Sequence, residues 1–471
     1  MKMNLDPKEN SDLLQERSKV DTNGNANQEE VREPPDGGFR AYAVVLASFF
    51  TNGLLFGVIN SCSVVYPVLE IILKEQGATN EESRAALVGA LTMGMTFLLS
   101  PLSGVLTGIV GIRLTAVLGG TIAALGLIVS SFVVDNINAL YFTYSIMYGL
   151  GASFAYTPSL AILGHYFKKH LGLVNGLVTV GSSVFTAFIP SLMEYMLNNY
   201  GLQWLFRFLG LLTFGVALCG LLFKPLMNIP KPSRRDGNLK SFLTKIINIQ
   251  IWKNRKYRFW ALSMPVALFG YFVSYVHIKK FMNNNFPGAN YNVPLQCIAI
   301  TSGMGRLLFG VLADKPGINK ILLQQISFYV IGILTIALPF VRSFSMVVVI
   351  SLGMGIFDGA FIALIGPIAI QLCGRAYAAQ AIGCMLGMSA MPLSAGPPIA
   401  AYIHRLSGSY TLPFVLAGIS PIVGATLMFS VHFQRQNGET EIVTNGHAPS
   451  DVEKSIPLLV SNGNAKQQTA L

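Results

Sequence analysis

The sequence predicts an all-α membrane protein of about twelve spanning helices in two groups of six, and three observations carry that prediction. Apolar residues fill 52% of 471 positions and charged residues only 12%, with a mean hydropathy of +0.53, far more apolar than a soluble chain of this length requires. The apolar residues gather in runs long enough to cross a bilayer, which takes about 20 residues of helix. A polar, basic stretch from Lys224 to Arg258 then divides the runs into two equal sets.

In chain order, the first set lies near Ala41 to Leu69, Ala85 to Val110, Leu114 to Val134, Ala139 to Gly164, Gly172 to Leu197 and Trp204 to Phe223. The second lies near Phe259 to Met282, Val293 to Ala313, Ile321 to Val341, Met346 to Leu372, Ala378 to Ile403 and Thr411 to Val431. Several runs contain Gly and Pro, which would be wrong for soluble helices; in a bilayer, neighbouring helices satisfy the backbone groups they free. Cys62, Cys219, Cys297, Cys373 and Cys384 all fall inside the runs. Their odd number and placement read as small buried apolar residues, without a disulfide framework or metal site.

Polar segments set the remaining organisation. Residues 1–35 lack an apolar core and are expected to be a disordered tail with no cleavable signal peptide; 36–225 form a first six-helix bundle, 226–256 a basic linker, 257–433 a second bundle, and 434–471 a second disordered tail, polar apart from the stretch IPLLV. With both ends inside, Arg113, Lys168, Lys169, the linker, Lys315, Lys320, Arg375 and Arg435 fall on inner loops, against mainly Lys74, Arg84, Arg342 and Arg405 outside. The positive-inside rule therefore predicts cytoplasmic termini. It also accounts for much of the +11 formal charge without a nucleic-acid partner.

An internal repeat underlies the two sets. GVLTGIVGIR (Gly104 to Arg113) follows the second run and GVLADKPGINK (Gly310 to Lys320) follows the eighth, 206 residues further on. Gly176, Pro190 and Tyr195 in the fifth run match Gly383, Pro397 and Tyr402 in the eleventh, 207 residues further on. Two parallel six-helix repeats are the arrangement of the major facilitator superfamily, and GVLADKPGINK resembles that superfamily's loop between the second and third helices of each half. A tight Gly turn lets helix ends approach, and Asp314 can accept from a helix N-terminus across the loop while the bases face the cytoplasm. The resemblance implies that Asp314 and Lys315 latch an inner gate; the plainer alternative is that they cap and solubilise a loop. The first-half copy departs from the pattern, with Gly108 where the acid belongs.

Ionisable residues sit inside predicted spans, among them Arg306 in TSGMGRLLFG, Asp358 in MGIFDGAFIALIGP and His277 in YFVSYVHIKKF. An isolated charge there costs several kcal/mol, so each should face a wet cavity or find a partner. Arg306 and Asp358 are natural partners for each other. In the functional reading Arg306, whose guanidinium offers five donors in a fork, pairs with a planar substrate carboxylate in one state and with Asp358 in another, so its pairing changes with the transport cycle. The alternative is a permanent strut between helices. His277 can donate to a phenol, carbonyl or carboxylate near neutral pH, or serve as a hydrogen-bonded structural histidine among Tyr271, Phe272 and Tyr275. Lys279, Lys280 and Glu194 read as reaching the outer interface, and His165 and His170 as interfacial flanks of the basic turn YFKK.

Two stretches give a family resemblance. PPDGGFRAYAVV (Pro34 to Val45) is similar to the acidic-Gly-Gly-aromatic motif that opens the first helix of monocarboxylate transporters, although Arg40, Ala41 and Tyr42 replace the usual small residue and tryptophan. YFKKHLGLVNGLVTVGSS (Tyr166 to Ser183) resembles their glycine-spaced motif opening the fifth helix. SFAYTPSLAILGHYF, YFVSYVHIKKF, TSGMGRLLFG, FDGAFIALIGPIA and AGPPIAAYI further resemble the branch comprising transporters ten and eight, carriers of aromatic amino acids and thyroid hormone. The likeness covers about Pro34 to Phe433, and in that branch the residues matching Arg306, Asp358 and His277 are implicated in substrate handling.

The resemblance implies a major facilitator fold in the plasma membrane and alternating access around a midplane site. Proton-coupled lactate carriers of the family hold an aspartate where this chain has Ser302, and a first-helix lysine where it has Asn60. The expectation is therefore facilitated diffusion of aromatic amino acids without sodium or proton coupling, with proton-coupled lactate-type transport as the alternative and Asp358 as its proton carrier. Ile59, at the position of a first-helix histidine of the thyroid-hormone relative, weighs against iodothyronines. Tyr156, Phe154, Phe272, Phe357 and Phe361 stand near the middle of spans and are candidates for a ring-accepting pocket, with Asn60 donating to a polar end, although packing alone would also explain aromatics there. No paired His or Asp metal motif and no serine-nucleophile motif is present, so neither an enzyme nor a cofactor is expected. The expected partners are a small-molecule carboxylate and the lipid bilayer.

Overall fold

The computed structural model describes residues 33–77, 81–226, 249–286, 288–290 and 292–433. Most of both tails, including IPLLV, and most of the basic linker lie outside these residues. Helix follows helix: α1 (Phe39–Glu75, interrupted at Ser61), α2 (Glu81–Leu98), α3 (Ser100–Val110), α4 (Ile112–Ser130), α5 (Ile137–Tyr166) and α6 (Leu171–Leu221). After a short helix at Ile249–Lys253 come α7 (Arg255–Tyr271), α8 (Val273–Asn285), α9 (Val293–Ala313), α10 (Lys320–Phe340), α11 (Phe344–Cys373), α12 (Ala378–Ser407) and α13 (Thr411–Phe433). No strand occurs among the described residues.

Ten helices among the described residues are long and apolar enough to cross a membrane, and α2 with α3, bent by 43° across Leu99, makes an eleventh. Gly201 breaks α6 with φ 83° and ψ 174°, a conformation glycine reaches without steric cost. Each length of α6 is enough for a span, and counting both gives the twelve that the apolar runs predict.

Pairing follows the repeat. α1 packs on α6, and α4 on α5 and α6; in the second set α7 packs on α12 and α13, and α10 on α11 and α13. Between the sets, α6 runs along α9, and α3 along α12. The recurrent glycines are the reason these crossings are close. A Cβ on Gly176 would collide with the Arg306 carbonyl oxygen, and one on its repeat mate Gly383 with that of Ser100. A Cβ on Gly310 would lie 2.7 Å from the Gly172 carbonyl oxygen, and one on Gly104 would lie 2.7 Å from the Gln380 Cα. Small residues let backbones touch, which is how helices associate where lipid removes the hydrophobic incentive.

The two ends of these crossing helices differ in burial. Leu171 to Gly181 of α6 and Ala378 to Ala390 of α12, at the end nearest Asp314, are mostly buried. Further along, Phe188, Tyr195 and Tyr200 of α6 and Met391, Tyr402 and Leu406 of α12 are exposed. The two sets are closed on each other at the basic-loop end, where glycine crossings bring their backbones together.

Candidate functional site

Arg306 lies on α9 and is only 6% exposed. The glycine crossing just described brings it against α6, where its Nη1 donates to the Thr179 carbonyl oxygen and the Ser182 hydroxyl. Its Nε is buried without a partner, and the Tyr275 hydroxyl is likewise unpartnered. Tyr275 and Tyr156 both lie within electrostatic reach of the guanidinium. An Arg with spare donors, two neighbouring phenols and neutral acceptors only is equipped to take a carboxylate.

Asp358, on α11 and 7% exposed, is not paired with Arg306 in this arrangement. It accepts from the Tyr271 hydroxyl on α7 and the Ser302 hydroxyl on α9. No ion pair joins it to Arg306; among the described residues only Lys74–Glu70 and Lys168–Glu33 form ion pairs. The physical reason is direction: Arg306 faces the opposite helix set, while Asp358 faces into its own, where two hydroxyls satisfy it. Ser302, the position where the aspartate of proton-coupled carriers is missing, is thus a donor to the remaining carboxylate.

The other expected residues are dispersed. His277, on α8, contacts the Pro397 carbonyl oxygen through Nε2 at 2.9 Å, with its ring 5.9 Å from that of Tyr410. Asn60, exposed near the middle of α1, donates to the Thr186 hydroxyl at 3.1 Å. Tyr156 packs edge-on against Phe56 at 4.9 Å. Phe361 lies between Tyr271 and Phe328, and Phe357 against Phe309, so both serve packing; Phe272 stacks on Tyr275. His165 is not interfacial but 1% exposed with both ring nitrogens unpartnered, whereas His170 is exposed. The side chain of Lys279 lies outside the described residues.

At the closed end, a carboxylate of one set caps the N-terminus of α6 and a carboxylate of the other holds the turn that leads into it. Asp314, following α9, accepts from the Gly172 and Leu173 N–H groups, both at 2.7 Å. Burial raises its carboxyl above the ordinary aspartate value, against the pull of those two donors and of the Lys320 and His170 charges. Asp36, held at φ 51°, accepts from the Lys168 and Lys169 N–H groups at 2.6 and 2.8 Å. Partial burial pushes its carboxyl up, but those two donors with His170 and Lys169 outweigh this and leave it below the ordinary value. The stretches PPDGG and YFKK are therefore one docked unit. Lys315 is exposed and lines a cavity of about 300 Å³ with Lys168, Lys169 and Lys320. At the other crossing Gly108 faces Gln380, so a side-chain amide stands where an acid would.

Sequence reasoning set Tyr271 beside His277 and not with Asp358, and did not find Thr179 and Ser182, nor Asn175, which is 1% exposed and donates from α6 to the Ala363 carbonyl oxygen of α11 at 2.7 Å. The available signal was the 206-residue offset, which sets Arg306 against Ser100 and so marks the second crossing as the one carrying charge.

Residues 45–342 match the family model of the Major Facilitator Superfamily. The chain is 45% identical over 404 residues to monocarboxylate transporter 10 of Danio rerio, covering 85% of this chain and 79% of that protein. It is 40% identical over 442 residues to monocarboxylate transporter 10 of Homo sapiens, covering 91% and 85%. Among solved structures it resembles the human organic anion transporter MFSD10 with a TM-score of 0.69 at 14% identity, covering 84% of this chain and 100% of that one. It also resembles the E. coli fucose:proton symporter FucP with a TM-score of 0.66 at 12% identity, covering 83% and 98%. At such identities the structures speak for the fold.

Proposed function

The chain belongs to the monocarboxylate transporter family of the major facilitator superfamily, a multi-pass membrane transporter, and from that premise we propose that it carries aromatic amino acids across the plasma membrane by facilitated diffusion. The observation that carries the reading is Arg306: a guanidinium at the junction of the two helix sets, paired only with neutral acceptors, beside Tyr156 and Tyr275. The substrate carboxylate docks on Arg306, and its ring lies among the aromatic residues of α5 and α8. The six-helix sets before and after residues 226–256 rock about this site, with both termini in the cytoplasm and Asp314 closing the inner side. Asp358, His277 and Asn60 shape the surrounding site.

Uptake of labelled phenylalanine by cells expressing the chain tests this. Entry is expected to be insensitive to sodium and equal at pH 7.4 and pH 6. Arg306→Ala is expected to abolish entry with surface expression intact, and full activity in that variant would remove the assignment. A second reading, proton-coupled transport of lactate-like carboxylates, is favoured by one observation: Asp358 is buried with hydroxyl partners and no cation, as a proton carrier would be. Acid-stimulated lactate entry would select it.

A further inference from the structure

His165 lies in the last turn of α5, and neither ring nitrogen has a partner although the residue is only 1% exposed. A neutral imidazole carries one donor and one acceptor, and leaving both bare in the interior is costly enough to need a reason. Its place supplies one. A Cβ on neighbouring Gly164 would lie 2.8 Å from the Ile370 Cδ1 and 3.7 Å from the Arg375 Cγ, so this turn of the first helix set abuts the end of α11 in the second. The Arg375 guanidinium, from the turn between α11 and α12, lies within electrostatic reach of the ring. Arg375 is itself within reach of Glu33 and Asp36, and Tyr166, the next residue, turns its hydroxyl to the Lys224 carbonyl oxygen at 2.7 Å. A charged ring here would have neither water nor an acceptor and would face a guanidinium across the junction, so the closed arrangement holds only the neutral form. Parting the sets at this end lets water reach the ring, and either form is then tolerated. Protonation and opening are therefore linked, each favouring the other.

We propose that His165 is a cytoplasmic proton sensor: a proton taken from the cytoplasm onto its ring holds the inner end open, and loss of that proton lets α5 close on α11 and Arg375. This rests on the two sets rocking as proposed above. Protons on the outer side do not reach the ring while the inner end is closed, so at a fixed cytoplasmic pH uptake stays flat with outside pH. With an ordinary solvated histidine pKa of about 6.5 and no protonation when closed, the ratio of open to closed rises about fourfold as the cytoplasm goes from pH 7.4 to pH 6.0.

The test uses inside-out membrane vesicles carrying Thr179→Cys, with a membrane-impermeant maleimide at the cytoplasmic face, the lumen held at pH 7.4 and the chain without the added cysteine as background. The labelling rate with His165 is divided by the rate with His165→Phe at the same pH. That quotient cancels the thiol's own pH dependence and the contributions of Asp36, Asp314 and His170, which are present in both. It should rise about fourfold from pH 7.4 to pH 6.0, and should do the same with His165→Gln as divisor. A structural role for the ring would change labelling equally at both pH values. A quotient that stays level or falls overturns the inference and leaves the proposed function standing. Where neither variant reaches the membrane, His165 itself decides: labelling that does not rise at pH 6.0, once scaled to a free thiol peptide, overturns it. No labelling of Thr179→Cys at either pH removes the rocking of the two sets and this inference with it.

Discussion

Ser302 and Asp358 show how one hydroxyl can set the chemistry of a buried acid. Asp358 is satisfied by the Ser302 and Tyr271 hydroxyls, so its charge needs no cation. Replacing Ser302 by Asp would set two carboxylates side by side, and like charges that close share a proton. Ser302→Asp is therefore expected to make uptake rise from pH 7.4 to pH 6, where the parent is expected to stay flat. Side-by-side pH profiles check this, and a flat profile in the variant would show that the pair does not couple to transport. The approach of Ser302 to Asp358 was not legible in the sequence, because helix faces depend on how α9 rolls against α11.

At the scale of elements, the α6–α9 crossing is the seam that holds Arg306 and its acceptors. From the Asp314 end it holds the Gly172 and Gly310 backbones in contact, then Gly176 against Arg306, then the acceptors Thr179 and Ser182. Gly176→Val has no room, because even a Cβ would collide with the Arg306 carbonyl oxygen. It is expected to force the helices apart, lowering uptake at least tenfold while the protein still reaches the surface, since a loss of about 1.4 kcal/mol already gives that factor. The check is uptake normalised to surface biotinylation. Gly215, which meets only Leu54 at 3.6 Å, is the control; Gly215→Ala should stay near wild type. The glycine spacing was legible as a repeat. Its role as a seam required knowing which helix crosses which.

For the whole molecule, the two helix sets are closed at the basic-loop end, as one arrangement of the proposed alternating pair would be. Asp314 contributes to the closed end through two bonds to the first turn of α6, a helix-capping interaction worth about 1–2 kcal/mol. Asp314→Ala is expected to shift the population about tenfold towards opening at that end. A cysteine introduced as Thr179→Cys should then react faster with a thiol reagent applied from the cytoplasm and slower from outside. Unaltered labelling from both sides would reduce Asp314 to a local cap.

The sequence by itself determined the membrane class, the approximate places of the apolar helices, the repeat and the residues that carry charge, because apolar run length, glycine spacing and rare intramembrane ions are local properties of a chain. Its resemblance to a transporter family was equally legible, in the stretches that dock as Asp36 on the Lys168–Lys169 turn. Tertiary structure alone decided which charges meet. Arg306 and Asp358, natural partners on paper, point to different helix sets. The partners they find, Thr179 and Ser182 for one and Tyr271 and Ser302 for the other, depend on helix rotation and crossing. A backbone carbonyl such as that of Thr179 has no signature in sequence, since every residue has one.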